Sequence, residues 1–282
     1  MIEPTAPVNK IIDHSVVDGP GNRTAIFFQG CNFNCLYCHN PETIGVCSVC
    51  GECVAGCPVG ALQRREEEIL WDETRCCGCD ACIKVCPHNA SPRVRRMTAP
   101  QIAARIEKNR PFIRGITCSG GECTLSAEVM QQLFFLTHRM GLSNLIDSNG
   151  SYDFIANSAL LELCDGVMLD VKAYDNPAHV ALTGQDNRMV LRNAVELARR
   201  GKLPEIRTVV IPDALPNEQT VDKITRLLAP YQAMGAIRYK LIRFRPMGVR
   251  VSARNFCVPD NALMERLRSL ALHNGFSEVV DV

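Results

Sequence analysis

The sequence has 282 residues, 46% of them hydrophobic, which is enough for one large domain or for one domain with an insert. Its 31 basic and 30 acidic residues leave a net charge of +1, so composition gives no general attraction to nucleic acid or to an anionic membrane. No apolar run is long enough to span a membrane, and residues 1–7 lack the pattern of a signal peptide, so we expect a cytoplasmic protein. Sixteen cysteines in such a chain indicate metal binding rather than disulfides.

The first strong feature along the chain is a buried strand that leads directly into a loop of three cysteines. Residues 8–22 read as a short extended segment and a tight turn, and β-branched and aromatic residues then predict a strand at 23–28. Cys31, Cys35 and Cys38 follow at its carboxyl end. A 4Fe-4S cluster normally takes four thiolates, so these three predict a cluster with one iron open to a ligand. A zinc site, or core cysteines that lie together by chance, is the alternative.

The segment 46–91 is dense in cysteine and repeats itself after 29 residues, so we predict that it is a small module inserted into a larger fold. Each copy reads Cys-x2-Cys-x2-Cys-x3-Cys-Pro, the run of bacterial two-cluster ferredoxins, in which the fourth cysteine ligates the other cluster. We therefore predict two further 4Fe-4S clusters, held by Cys47, Cys50, Cys53 and Cys86 and by Cys76, Cys79, Cys82 and Cys57. A pair of zinc knuckles is the alternative interpretation.

Strands and helices then alternate regularly through the rest of the chain. After a helix that starts near Thr98, hydrophobic patterns predict strands at 112–118, 144–147, 167–171, 205–211 and 237–243. Helices are predicted at about 126–139, 154–163, 188–200, 217–229 and 261–273. With the strand at 23–28 there are six strand–helix units, which predict an α/β fold with a parallel sheet. Six units are too few for a closed eight-stranded barrel, so we expect residues 1–45 and 92–282 to form a partial (β/α)6 barrel or an open curved sheet.

A glycine-rich turn, Ser119-Gly120-Gly121-Glu122, closes the strand at 112–118. Paired glycines let a ligand approach the backbone closely, and the glutamate could bind a cation such as an ammonium group. The turn by itself is a weak signal, because the same residues are common in ordinary turns.

Together these motifs resemble those of a known family. The loop Cys31–Cys38 followed by Ser119–Glu122 resembles the radical S-adenosylmethionine (radical SAM) enzymes. The leading stretch Asp18–Arg23 and the continuation Tyr37–Pro41 are similar to those of glycyl-radical-enzyme activating enzymes. The cysteine-rich insert, Asp147-Ser148-Asn149-Gly150 and Met168-Leu169-Asp170-Val171-Lys172 fit the same family, and the whole chain looks most like its YjjW-type branch.

The resemblance implies an anaerobic radical reaction. S-adenosylmethionine would bind the open iron of the cluster at Cys31, Cys35 and Cys38, and one electron would cleave it to methionine and a 5′-deoxyadenosyl radical. That radical would abstract hydrogen from a glycine of a partner glycyl radical enzyme, and a flavodoxin- or ferredoxin-like donor would supply the electron. Such a protein is an oxidoreductase.

The resemblance also implies contacts to the cofactor. The expected residues are Tyr37, Ser119, Gly120, Gly121, Glu122, Asp147, Asp170 and Lys172. Positions Asp147, Ser148, Met168 and Asp170 match those that hold a monovalent cation in some relatives. Relatives often carry a histidine where this chain has 244–248, which makes Arg245 a further candidate contact. Without the family, Lys172 and Asp170 would be interpreted as a surface ion pair, and Asp147 as a turn residue.

Two other functions remain open at the level of sequence. One is a radical SAM enzyme that acts on a small molecule instead of a protein. The other is an iron–sulfur electron carrier without catalysis, although a carrier has no reason to leave one iron open.

Overall fold

The computed structural model describes residues 3–282, and its main sheet begins with an antiparallel hairpin. β1 (Thr5–Ser15) pairs with β2 (Arg23–Phe28), which lies where the sequence predicts a strand. The sequence predicts only a short extended segment before that strand, whereas β1 is eleven residues long. β1 is long because it has a partner on each side, with β2 along one edge and a later strand along the other.

The cysteine-rich segment folds into four short elements of its own. These are α1 (Glu52–Ala55), β3 (Leu62–Arg64), β4 (Ile69–Trp71) and α2 (Ala81–Lys84). β3 and β4 form a separate two-stranded sheet, and a separate buried cluster joins them to the two helices through Cys53, Leu62, Ile69 and Cys82.

The internal repeat of this segment is also visible in the backbone. Residues with positive φ recur 29 positions apart, in the pairs Val49 and Gly78, Gly51 and Asp80, and Gly60 and Asn89. Left-handed conformations are unfavourable for residues with a Cβ, so a matched set of them reflects a shared backbone path. The two copies therefore have the same local fold as well as the same cysteine spacing.

The remaining chain alternates strands and helices. In order these are β5 (Arg95–Thr98), α3 (Ala99–Asn109), β6 (Gly115–Gly120), α4 (Ala127–Arg139), β7 (Ser143–Ser148), α5 (Ser158–Glu162), β8 (Gly166–Asp170), α6 (Asn176–Thr183), α7 (Arg188–Arg199), β9 (Glu205–Val210), α8 (Asn217–Leu228), β10 (Arg238–Arg243), α9 (Asn261–His273) and β11 (Val279–Asp281). The sheet order is β11-β10-β9-β8-β7-β6-β2-β1-β5, and every pairing from β2 to β11 is parallel.

The six predicted strands and the parallel sheet are confirmed, with local differences. β6 begins at Gly115 instead of 112, because Arg110–Phe112 form a turn of 3-10 helix. α5 covers 158–162, which is shorter than the predicted 154–163. Three further elements, β5, α6 and β11, were not predicted from the sequence; β5 and β11 are short, and α6 lies between two longer elements.

The two faces of the sheet have different chemistry. Ile26, Cys118, Ile146, Leu169 and Ile206 sit on one face and belong to the same buried cluster as residues of α3, α4, α7, α8 and α9. Their neighbours along the strands point to the opposite face, because side chains alternate along a strand. Those neighbours are polar near the carboxyl ends and include Ser119, Asp147, Asp170 and Arg207.

No helix within residues 3–282 is long and apolar enough to cross a membrane.

Candidate functional site

A cavity of about 220 Å³ opens where the parallel strands end, the edge at which α/β folds place their sites. Its walls come from the cysteine loop after β2 and from the ends of β6, β7, β8 and β9. It is lined by Cys31, Phe33, Cys35, Tyr37, Cys38, His39, Asn40, Thr43, Ile44, Ser119, Gly120, Gly121, Asp147, Ser148, Asn149, Asp170, Lys172, Arg207, Val209 and Ile242. Of the twelve residues predicted for the cluster at Cys31–Cys38 and for the cofactor, ten line this cavity, and Glu122 and Arg245 do not.

Backbone hydrogen bonds hold the cysteine loop against two neighbouring segments. The Cys31 amide donates to the Ile44 carbonyl (3.0 Å), and the amides of Asn34 and Leu36 donate to carbonyls at the end of α6 (2.8 and 2.9 Å). Arg250 Nη2 donates to the Cys35 carbonyl at 2.7 Å. The loop is thus fixed by the fold itself.

The three thiols of this loop are buried enough to resist ionisation. Burial raises the pKa of Cys31 to about 12, and it also raises the pKa values of Cys35 and Cys38. The ammonium of Lys172 opposes the shift at Cys35 and Cys38. Because the thiolate is the form that binds metal, these thiols need a strong positive charge in the cavity to ionise.

Two partly buried ion pairs form the opposite wall. Asp170 Oδ2 lies 2.5 Å from Lys172 Nζ, and Asp147 Oδ2 lies 2.9 Å from Arg207 Nη1. Burial alone would lower the pKa of Lys172, but the Asp170 carboxylate raises it well above its usual range. Burial raises the pKa of Asp147, and Arg207 opposes that rise. The wall therefore presents carboxylates and cations side by side, which suits a zwitterionic ligand.

Arg207 is a cavity residue that the sequence analysis missed. Its guanidinium also bonds Glu205, and its Nη2 lies 3.1 Å from the sulfur of Met168. The signal for it lies in β9, where Glu205 and Arg207 alternate with apolar residues and so mark one face of the strand as polar.

The candidate cation ligands are already engaged by protein groups. Asp147 and Asp170 are paired as above, Met168 contacts Arg207, and the Ser148 hydroxyl donates to Glu122 at 3.0 Å. Among residues 3–282, no three His, Cys, Asp or Glu side chains come close enough to hold a single metal ion.

Glu122 lies beneath the cavity and not on its wall. Its carboxylate is buried and accepts hydrogen bonds from the Thr124 amide and hydroxyl, the Ser148 hydroxyl and the Asn149 amide (2.6–3.1 Å). Asn149 in turn donates to Asn32 at 3.0 Å and lies 3.8 Å from the Cys31 sulfur. Glu122 therefore fixes the loop that contacts Cys31, and Asn149 is a second residue that the sequence analysis did not single out.

The paired glycines are explained by packing. A Cβ on Gly120 would lie 2.2 Å from the Phe28 carbonyl oxygen, and one on Gly121 would lie 2.2 Å from that of Gly30. Both glycines let the turn after β6 pack against the end of β2, which sets the floor of the cavity.

Two other stretches noted from sequence lie outside the cavity. Arg245 is exposed and does not line it, although its carbonyl oxygen lies 3.1 Å from Nε2 of His39. Asp18–Arg23 lies at the opposite edge of the sheet, where Arg23 bonds the Ile116 and Ser143 carbonyls (2.7 and 2.9 Å).

The cysteines of the inserted segment line two small separate cavities. One is lined by Cys47, Cys50, Cys53 and Cys86, together with His88 and Pro92. The other is lined by Cys57, Cys76, Cys79 and Cys82, and also by Cys77, Trp71 and Arg93. Each cavity combines three cysteines of one run with the fourth cysteine of the other.

The main cavity fits an iron–sulfur cluster with a bound zwitterion. Three thiols from one loop supply a sulfur donor set, and a cluster supplies the positive charge that their ionisation requires. The Tyr37 hydroxyl, on a residue of the cavity wall, is buried without a hydrogen-bond partner in residues 3–282. The ion pairs at Asp147 and Asp170 complement an ammonium and a carboxylate group.

Comparison with known proteins identifies the class of enzyme. A model of the radical SAM superfamily matches residues 25–228, well over half of the chain. The chain therefore belongs to the radical SAM superfamily, and it is an enzyme.

Its relatives within that superfamily are activating enzymes. It is 29% identical to the choline trimethylamine-lyase activating enzyme of Oleidesulfovibrio alaskensis, over 88% of this chain and 86% of that protein. It is 30% identical to the isethionate sulfite-lyase activating enzyme of Nitratidesulfovibrio vulgaris, over 83% of this chain and 87% of that one. Among solved structures it resembles QueE from Escherichia coli, with a TM-score of 0.52 at 12% identity over 99% of this chain and 94% of that chain, which indicates a shared fold.

Proposed function

We propose that this chain activates a glycyl radical enzyme. The single observation that carries the proposal is the cavity at the carboxyl edge of the sheet, where Cys31, Cys35 and Cys38 face two partly buried ion pairs. Relatives named as activating enzymes, similar over most of their length, support the choice of a protein as the substrate. Within the activating enzymes, we propose that the chain belongs to the YjjW-type branch.

In this proposal the chain's own residues bind the cluster and orient S-adenosylmethionine. Cys31, Cys35 and Cys38 hold a 4Fe-4S cluster, and Asn149 donates a hydrogen bond to the Cys31 sulfur. When bound, the cluster supplies one electron that cleaves S-adenosylmethionine, and the resulting 5′-deoxyadenosyl radical takes a hydrogen atom from the Cα of a glycine. The ion pairs of Lys172 and Arg207 orient the methionyl group, since its carboxylate and ammonium match those charges.

Other contacts in the proposal come from the cavity wall and its floor. Tyr37, Ser119, Gly120 and Gly121 line the wall and contact the cofactor. Glu122 acts through the loop that it holds in place. Arg245 would reach the cofactor only if the exposed segment around it folds inward.

The sheet and the insert complete the architecture that we propose. Residues 1–45 and 92–282 form a partial barrel whose polar face encloses the cavity. Residues 46–91 form a ferredoxin-type domain with two 4Fe-4S clusters, the first at Cys47, Cys50, Cys53 and Cys86 and the second at Cys57, Cys76, Cys79 and Cys82. The two cavities that each gather one such set support this ligand assignment.

The radical chemistry also indicates the electron donor and the compartment. A flavodoxin- or ferredoxin-like protein supplies electrons, and the reaction runs anaerobically in the cytoplasm, where thiols stay reduced. No membrane or nucleic acid takes part. We also propose that a monovalent cation can bind at Asp147, Ser148, Met168 and Asp170, in competition with the Arg207 guanidinium.

The test compares two cysteine variants of the anaerobically reconstituted protein. The wild type should bind about twelve irons and, with a strong reductant, form 5′-deoxyadenosine. Cys35→Ala should abolish that product, because it removes a ligand of the cluster that cleaves the cofactor. The matched variant Cys50→Ala, in the insert, should still allow at least a single turnover. Cofactor cleavage by Cys35→Ala would disprove the assignment.

The same preparation separates the alternative functions. With a candidate glycyl radical enzyme added, electron paramagnetic resonance should detect a glycyl radical. Cleavage without a radical on any protein would favour a small-molecule substrate, and iron uptake without cleavage would favour an electron carrier.

A further inference from the structure

The two cavities of the cysteine-rich segment differ in the side chains that surround their cysteines. We call cavity A the one lined by Cys57, Cys76, Cys79 and Cys82, and cavity B the one lined by Cys47, Cys50, Cys53 and Cys86. Cavity A also contains Trp71 and Arg93, whereas cavity B contains no Arg, Lys or Trp among residues 3–282. The same number of cysteines therefore lies in two different electrostatic environments.

Trp71 supplies an N–H group to cavity A. Its Nε1 is buried and makes no hydrogen bond within residues 3–282, yet Trp71 is the main reason why the pKa of the Cys76 thiol lies below its usual value. The guanidinium carbon of Arg95 lies 5.1 Å from the centre of the indole ring and holds that ring in place. A buried donor without a partner is costly, so this N–H becomes favourable when a sulfur of cavity A carries negative charge.

Arg93 adds a positive charge to the same cavity. Its Nη2 lies 2.7 Å from Asp80 Oδ1, and this ion pair holds the guanidinium beside the cysteines. The guanidinium also lowers the pKa of Cys76, and it opposes the rise that burial causes in the pKa of Cys82. Arg93 belongs to the chain that follows the cysteine-rich segment, so the main fold provides this charge.

The internal repeat shows why cavity B lacks such a charge. Arg64 is the counterpart of Arg93, 29 residues earlier, but it is exposed and does not line cavity B. Gly51 stands where the other copy has Asp80, so no carboxylate at that position holds the Arg64 guanidinium against the cysteines. The two copies therefore share a backbone path and differ in the charge that they place beside their cysteines.

Cavity B contains an acidic side chain instead. Glu52 lines it, and its carboxylate opposes the addition of negative charge. His88 also lines cavity B, but it is exposed, so solvent screens any charge that it carries.

We propose that Trp71 and Arg93 make cavity A the site of the higher-potential cluster of the insert, which takes up the first electron. An N–H donor and a positive charge stabilise the reduced cluster, because it carries one more negative charge than the oxidised cluster. The electron comes from the flavodoxin- or ferredoxin-like donor, which is oxidised in the same one-electron step. The inference rests on the ligand sets of the proposed function and adds the order in which they are reduced.

The test is a potentiometric titration of the reconstituted full-length chain, followed by electron paramagnetic resonance. Trp71→Phe keeps an aromatic ring and removes the N–H. At the potential where the first wild-type step is half complete, the ratio of reduced to oxidised cluster should fall about tenfold, which corresponds to a midpoint lower by about 59 mV. Iron content should stay the same, which separates this effect from loss of the cluster.

Variants of the two related arginines test the charge. Arg93→Gln should lower the midpoint of the first step, and Arg93→Lys should restore most of it because it keeps the positive charge. Arg64→Gln is the matched control in the other copy of the repeat, and it should leave every step unchanged.

Cys50→Ala assigns the first step to one of the two cavities. It removes a ligand from cavity B, so the first step should persist, and adding Trp71→Phe should still lower its midpoint. Loss of the first step in Cys50→Ala would place the higher-potential cluster in cavity B and overturn the inference.

Two other results would also overturn it: an unchanged first step in both Trp71→Phe and Arg93→Gln, or an equal shift in Arg64→Gln. Failure of the proposed function looks different. Uptake of only about four irons would remove both insert clusters, and this inference with them, before any potential is measured. A lowered first step without a glycyl radical on any partner would remove the activating function and leave the role of Trp71 and Arg93 standing.

Discussion

At the scale of single residues, the site depends on how buried charges are paired. Asp147 and Asp170 lie on neighbouring strands, and each has a cationic partner within 3 Å. A buried carboxylate without such a partner would be costly, and its pKa would rise further. Arg207 bridges Asp147 and Glu205, so it acts as a fixed cation at the centre of the polar face.

Replacement of Arg207 tests this role. Arg207→Ala leaves Asp147 without its cationic partner, whereas Glu205 keeps Arg238, so we expect a loss of about 3 kcal/mol in the free energy of unfolding, measured with urea. We also expect cleavage of S-adenosylmethionine by the variant to require sodium or potassium ions, which would replace the guanidinium. Arg200→Ala, an exposed arginine at the end of α7, should change neither property.

The wild type supplies the decisive comparison for the cation. If Arg207 fills the position, cleavage should proceed equally well in potassium chloride and in choline chloride. A wild type that needs potassium would instead contradict the role of Arg207 and support a cation at Asp147, Ser148, Met168 and Asp170.

At the scale of elements, the cysteine loop has little regular structure and depends on its neighbours. It is held by the end of α6 on one side and, on the other, by residues 244–258, the segment after β10 that we call the strap. Gly248 packs against His39, since an added Cβ would lie 2.8 Å from the His39 carbonyl oxygen, and its φ of +83° is in the left-handed region. The strap therefore contributes to the geometry of the three thiols without supplying a ligand.

Gly248→Ala tests this support. The new Cβ would meet the His39 carbonyl oxygen, so we expect faster amide hydrogen exchange in residues 31–40 and lower iron content in the main cavity. Gly141→Ala is the matched control, since it has a φ of +76° and nothing within 4 Å of its new Cβ. Both variants carry about 1–2 kcal/mol of left-handed strain. If both change exchange at 31–40 equally, contact with the strap is not what orders the loop.

At the scale of the whole molecule, the cysteine-rich segment joins the main fold through two stretches of chain that lie side by side. The Gly45 amide donates to the Asn89 carbonyl at 2.9 Å, and the Ser91 amide donates to the Glu42 carbonyl at 2.8 Å. A cavity of about 640 Å³ lies between the segment and β1, and it shares Trp71 with one insert cavity and Thr43 with the main cavity. The segment thus leaves and rejoins the main fold at adjacent points, and Arg95 of β5 also contacts its Glu73 and Trp71.

Excision of the segment is structurally simple because its ends meet. Replacing residues 47–90 with a short glycine linker should lower the iron content from about twelve to about four per chain. If the insert only shapes a surface, cleavage of S-adenosylmethionine with a reduced flavodoxin donor should proceed at the normal rate. A selective loss with flavodoxin, but not with a small chemical reductant, would show that electrons must pass through the insert.

The sequence by itself determined the parts of this protein that depend on local spacing. Cysteine gaps predicted which thiols share a loop, and the 29-residue repeat in sequence recurs in the backbone as matched left-handed residues. Alternating hydrophobic patterns located six parallel strands, because apolar periodicity reflects which side chains a sheet must bury.

Only the tertiary structure decided which of these residues meet, and how. Arg207 is far from Asp147 in sequence and reaches it because β7, β8 and β9 lie side by side. Glu122 has a carboxylate that could contact a ligand. That carboxylate instead accepts hydrogen bonds from Thr124, Ser148 and Asn149. Pairing between distant groups depends on strand order and register, and no local pattern contains that information.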